Sequence, residues 1–120
     1  MPSLPIAAPE AVVQEQTTAF TRARELANRG QLDEAEALCQ QLQTRHQPDA
    51  ELLCLLGVIQ QARGDHSLAE AYYQKSLFLS PHHEESLTHL MLLHQLRGDA
   101  ALAANYQRRL ARTSKQDSKP

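Results

Sequence analysis

The sequence predicts an all-α protein built from three helix hairpins, and three observations carry that prediction. Arg-Gly pairs recur at Arg29-Gly30, Arg63-Gly64 and Arg97-Gly98, each 34 residues after the last. Alanine follows every one of these glycines five places on, at Ala35, Ala69 and Ala103. Aromatics make up only 4% of the chain and Trp is absent, while Ala, Leu, Gln, Glu and Arg dominate, residues that lose little freedom on entering a helix. A fixed period of this length marks a small supersecondary unit that stacks on copies of itself. At 120 residues the chain is long enough for one domain with a modest core.

The elements follow in order. The opening MPSLPIAAPEA reads as an extended Pro/Ala linker over residues 1–9, which suggests that a further segment precedes it in a parent chain. Helices are then expected at about 10–29, 32–45, 50–63, 66–79, 83–97 and 100–113. The first of each pair ends at a glycine, which takes a left-handed turn that costs other residues about 1–2 kcal/mol. Arg29, Arg63 and Arg97 place a cation at the helix end, where it complements the dipole. The second helices open on acid: Asp33 with Glu34, then Asp65, then Asp99, the last two being N-cap candidates. Ala35, Ala69 and Ala103 keep the paired helices close. Leu53 with Leu56 and Leu87 with Leu90 fill the seams, and Pro81 ends the fourth helix. A disordered basic tail is expected over 114–120.

These positions resemble the tetratricopeptide pattern W-x2-L-G-x2-Y…A-x3-F…P. The second unit fits best, through Leu53, Leu56, Gly57, Ala69, Tyr73 and Pro81. The first departs most, with Ala19 and Arg22 at large apolar positions and Pro48 one place late; the third has Met91 for a small residue and Gln107 for an aromatic. Atypical terminal units are usual in such arrays. The expected architecture is a right-handed α-solenoid of three tetratricopeptide hairpins, six antiparallel helices in units 10–48, 49–82 and 83–113.

The repeat leaves little room for chemistry. All four glycines have structural duties in it, so none remains for a phosphate-cradling loop, and no cofactor is expected. The six histidines form no pair four apart, and no cysteine joins them at finger-like spacing, so no metal is expected either. Cys39 falls on the packing side of its helix. Cys54 has no base beside it in sequence that would make it a nucleophile, and two cysteines form no disulfide framework. The tripeptides Arg63-Gly64-Asp65 and Arg97-Gly98-Asp99 are helix-to-helix turns rather than adhesion signals. Net charge is −2, which argues against nucleic acid, and the six basic residues from Arg97 onward read as a solvated helix end. No stretch reads as a signal peptide or membrane span, and a cytoplasmic setting is expected.

The expected function is the capture of a protein or peptide in a concave groove lined by the first helix of each unit. The groove positions are Phe20 and Arg24, then Glu51, Cys54, Val58 and Gln61, then Glu85, Thr88, His89, Leu92 and Gln95. Phe20, Val58 and Leu92 would form an apolar floor. The Lys/Asn/Arg clamp by which chaperone-binding tetratricopeptide domains hold a carboxylate is missing, since the corresponding places carry Phe20, Arg24, Leu55, Glu85 and His89.

A longer resemblance covers about a third of the chain, from Ala69 to Thr113. Tyr72, Tyr73, Lys75, Leu77, Leu79, Pro81, His83, Leu87, His89, Leu90, Leu92, Leu93, Gly98, Asp99, Arg108 and Arg109 resemble the C-terminal repeat tail of bacterial chemoreceptor methyltransferases of the CheR type. Ser76, Phe78 and Ser86 are mild departures. The resemblance implies a parent enzyme that methylates receptor glutamates from S-adenosylmethionine, with its catalytic part elsewhere, so no catalytic residue carries over. It implies association with chemosensory proteins. The alternative is a free-standing repeat chaperone, such as those of type III secretion, against which the proline-broken start argues.

Overall fold

Three left-handed glycines punctuate the chain, Gly30 at φ 79°, Gly64 at 88° and Gly98 at 79°, and each turns one helix back into the next. The computed structural model describes residues 9–117. They form six helices: α1 (Pro9–Asn28), α2 (Leu32–Arg45), α3 (Ala50–Ala62), α4 (His66–Leu79), α5 (Glu84–Leu96) and α6 (Ala100–Asp117). No strand occurs among the described residues. The expected linker over 1–9 lies outside them except for Pro9, which opens α1.

The turns are built alike. The residue after each glycine donates its N–H back to a carbonyl five positions earlier, Gln31 to Leu26 at 2.9 Å, Asp65 to Gln60 at 2.9 Å and Asp99 to His94 at 2.8 Å. This is a Schellman closure, which satisfies carbonyls that the helix end leaves without partners. Asp65 and Asp99 then accept from the Leu68 and Leu102 N–H groups at 3.1 and 3.3 Å and start α4 and α6 as N-caps. Asp49 does the same for α3, with Leu52 at 2.8 Å, a cap that the repeat spacing does not reveal.

The chain divides into two compact units at Gln47/Pro48. In the first, α1 packs on α2, and its buried apolar residues are small: Ala23, Ala35 and Cys39, with Leu42. In the second, α3 packs on α4, α4 on α5 and α5 on α6. Its core joins Cys54, Ala69, Tyr73, Leu77, Leu87 and Leu90, with Val58, Tyr106 and Leu110 packed against it. The three register alanines Ala35, Ala69 and Ala103 are all buried, and Leu53, Leu56, Leu87 and Leu90 all lie in the core.

Gly57 serves a purpose unlike that of the turn glycines. A Cβ there would stand 2.5 Å from Tyr73 Cε1, so the Tyr73 ring lies directly on the α3 backbone. The two helices can approach this closely only because one position offers no side chain.

The end of α6 departs from expectation. The helix continues to Asp117, four residues past the expected boundary at 113, so the segment 114–117 is helical; residues 118–120 lie outside the description. No glycine or proline interrupts the run from Ala100 to Lys119. Thr113 is buried, with its hydroxyl 3.2 Å from His82 Nδ1, and Arg109 donates to the Pro81 carbonyl at 3.3 Å, which anchors the last turns of α6 to the bend before α5.

Candidate functional site

The residues of the expected groove fall into two kinds in the second unit. Thr88, Leu92 and Gln95 lie at helical spacing along α5, with Thr88 half-buried, Leu92 and Gln95 exposed, and Leu92 48% accessible. Glu51 is exposed at the start of α3. Cys54, by contrast, is fully buried in the core, and Val58 packs against that core as a partly covered residue. The helix-face reading that set Cys54 in an open groove misses the side chains of α4 and α5, Tyr73, Leu87 and Leu90 among them, that share its core cluster. In the first unit Phe20 and Arg24 are half-buried, with the Arg24 guanidinium stacked 5.1 Å above the Phe20 ring. A shallow cleft of about 620 Å³ there is lined by Glu15, Thr18, Ala19, Arg22, Leu38 and Arg45 among others, a mixed-charge surface.

Tyr73 organises the polar side of the second unit. Its hydroxyl donates to Gln61 Oε1 on α3 at 2.7 Å, and its ring stacks on His89 of α5 with centroids 5.1 Å apart and planes 8° from parallel. Burial raises the Tyr73 phenol well above its ordinary value, and the neighbouring Cys54 and Glu85 push in the same direction. It is therefore a fixed neutral donor. Around it the ligating atoms of Cys54, Glu85 and His89 lie within 4.8 Å of one another. His89 Nε2 stands 3.8 Å from Glu85 Oε1 across one turn of α5.

A second polar chain ties three helix ends together. Ser76 Oγ donates to the Ala50 carbonyl at 2.8 Å, and Ser86 Oγ donates to Ser76 Oγ at 2.7 Å. His83 caps α5 by accepting from the Ser86 N–H at 3.3 Å, and its Nε2 faces Glu51 at 3.5 Å. The Glu–His–Ser order resembles a hydrolase relay in letters only. Ser86 is fully buried and its hydroxyl proton is committed to Ser76, so it has no path to a substrate.

A third cluster lies at the other end of α5. His94 is buried, stacks on Tyr106 at 5.6 Å, and sets Nε2 3.3 Å from Glu70 on α4. Arg97 takes the other Glu70 oxygen at 2.7 Å, so the arginine of the third Arg-Gly pair bridges helices as well as ending one. Sequence reasoning missed these pairings because they join residues of different helices.

No protein-family model matches the chain. It is similar to the probable biofilm formation methyltransferase WspC of Pseudomonas putida, with 32% identity over 94 residues, and to the protein of the same description from Pseudomonas aeruginosa, with 37% identity over 98 residues. The matched stretches take in 78% and 82% of this chain but only 22% and 23% of those relatives. The chain thus spans less than a quarter of the length of the curated relatives it matches, and the similarity fits a segment of a methyltransferase of that kind. No helix among the described residues is long and apolar enough to cross a membrane.

Proposed function

We propose that this chain is a non-catalytic interaction module, the tetratricopeptide tail of a CheR-type protein-glutamate methyltransferase, with its three hairpins stacked as a right-handed solenoid. In this reading it docks a chemosensory signalling protein or regulates the enzyme it is attached to, in the cytoplasm. The observation that carries the proposal is the asymmetry of the match: about four-fifths of this chain against less than a quarter of two methyltransferases. The recurring hairpins, with left-handed glycines at one interval and buried alanines at another, support the repeat reading.

The docking face proposed is a stripe of α5, exposed Leu92 and Gln95 with half-buried Thr88, and Glu51 of α3 is grouped with it. Val58 packs on the core, so its replacement would confuse folding with binding; the informative variant is Leu92→Arg with Gln95→Glu. Measured against purified chemosensory receptor and coupling proteins, binding is expected to weaken at least about tenfold while helicity is unchanged, as expected when an apolar contact is lost from an interface centre. Unchanged affinity rejects the face. The chain alone, given S-adenosylmethionine and receptor, is expected to transfer no methyl group, and transfer would reject the non-catalytic assignment.

A further inference from the structure

The structure assigns a second capacity to the α3/α5 face, independent of partner docking: we propose that Cys54, Glu85 and His89 bind a thiophilic divalent cation, zinc being the best fit. Their donor atoms, a thiol sulfur, a carboxylate oxygen and an imidazole nitrogen, lie within 4.8 Å of one another. Zinc takes this donor set at bond lengths that leave ligand atoms about 3.3–3.6 Å apart around a tetrahedron. His89 Nε2 and Glu85 Oε1, at 3.8 Å, are too far apart for a hydrogen bond and close to the separation that an ion between them requires.

Two further observations favour this triad over its neighbour. The His89 ring is held flat against Tyr73, which is itself anchored to Gln61, so the orientation of the imidazole is fixed before an ion arrives. Glu51, His83 and Glu85 also bring their donor atoms together, but that set offers no sulfur, whereas Cys54 supplies the thiolate that zinc favours. Cys54 is fully buried while Glu85 and His89 are partly exposed, which leaves the fourth coordination position on the solvent side for water or for a donor from a partner. Binding releases the Cys54 proton to solvent and oxidises nothing.

The test is titration of the full reduced chain with Co²⁺, followed by displacement with Zn²⁺. The expected result is one equivalent bound, with a near-ultraviolet sulfur-to-cobalt band and visible bands of tetrahedral intensity that zinc abolishes. Cys54→Ser should remove the sulfur band, and Glu85→Gln and His89→Gln, which leave the core thiol in place, should each weaken binding at least about tenfold. Cys39→Ala should change nothing. Absence of the band in the native chain, its persistence in Cys54→Ser, or its loss in Cys39→Ala would each overturn the assignment. If Cys54→Ser does not fold, the two α5 variants decide: unchanged cobalt affinity in both rejects the site.

Discussion

At the scale of single residues, the α3–α4 pair is fitted by complementary volumes. Gly57 faces Tyr73; one repeat earlier the same positions are Ala23 and Cys39, both fully buried, and one repeat later Met91 and Gln107. Only the middle pair combines the smallest residue with a large ring. Gly57→Ala would set a methyl 2.5 Å from Tyr73 Cε1, and because both partners are buried the strain has no outlet. The expected loss is about 1–3 kcal/mol in urea unfolding, the usual range for overpacking. In the Tyr73→Leu background the same change should cost far less, since the ring is gone; equal costs in both backgrounds would disprove the contact. Gly57 and Tyr73 were legible as members of a repeat pattern, and their facing each other follows from that pattern. Cys54 was not legible as a core residue. Helical spacing says which face of α3 it occupies, but not that side chains of α4 and α5 close over it.

At the scale of elements, the boundaries were the most legible feature, because they are written in local chemistry. A glycine at positive φ ends the first helix of each pair, and at Gly64-Asp65 and Gly98-Asp99 the carboxylate that follows starts the next, through hydrogen bonds that span five residues or fewer; Gln31 after Gly30 makes no such side-chain cap. Asp65→Ala removes the acceptor for the Leu68 N–H and should destabilise the second unit by about 0.5–2 kcal/mol, whereas Asp65→Asn should retain most of that. Thermal unfolding followed by circular dichroism separates the two; equal stability of the alanine and asparagine variants would deny the cap. The triad of Cys54, Glu85 and His89 was illegible to a search for local spacings. Its members are 31 and 35 residues apart, bracketing the 34-residue period. In a stacked repeat, ligands on neighbouring first helices recur at one period plus or minus a few residues, and that is the spacing to search. The Glu70–Arg97 and His94–Tyr106 contacts likewise join separate helices and have no local signature.

At the scale of the whole molecule, each compact unit buries a weak acid that resists ionisation. Burial, with a contribution from Glu36, pushes the Cys39 thiol from 9.0 up to about 12, and burial raises the Tyr73 phenol from 10.0. The unfolded chain releases these protons first. Between about pH 9 and pH 12 it therefore holds fewer protons than the folded chain, and stability falls as pH rises. The expected outcome is little change in urea midpoint from these two groups up to about pH 8.5 and a progressive loss above pH 9. Cys39→Ala should reduce the alkaline slope, and an identical slope in that variant would remove the thiol as its cause. The same burial predicts slow reaction of Cys39 with alkylating reagents while the chain is folded.

The close approach of Gly57 and Tyr73 has a consequence for assembly order. A periodic chain runs the risk of pairing a helix with the right partner from the wrong repeat, whether within one molecule or by exchange between two. Slipped by one period, α4 would bring Tyr73 against Ala23 or Met91, and either side chain would project its Cβ into the space that the ring occupies over Gly57. The unequal volumes thus act as a key cut differently at each hairpin. The three hairpins share their glycine turns and buried alanines, yet differ in side-chain volume at this one pair of positions.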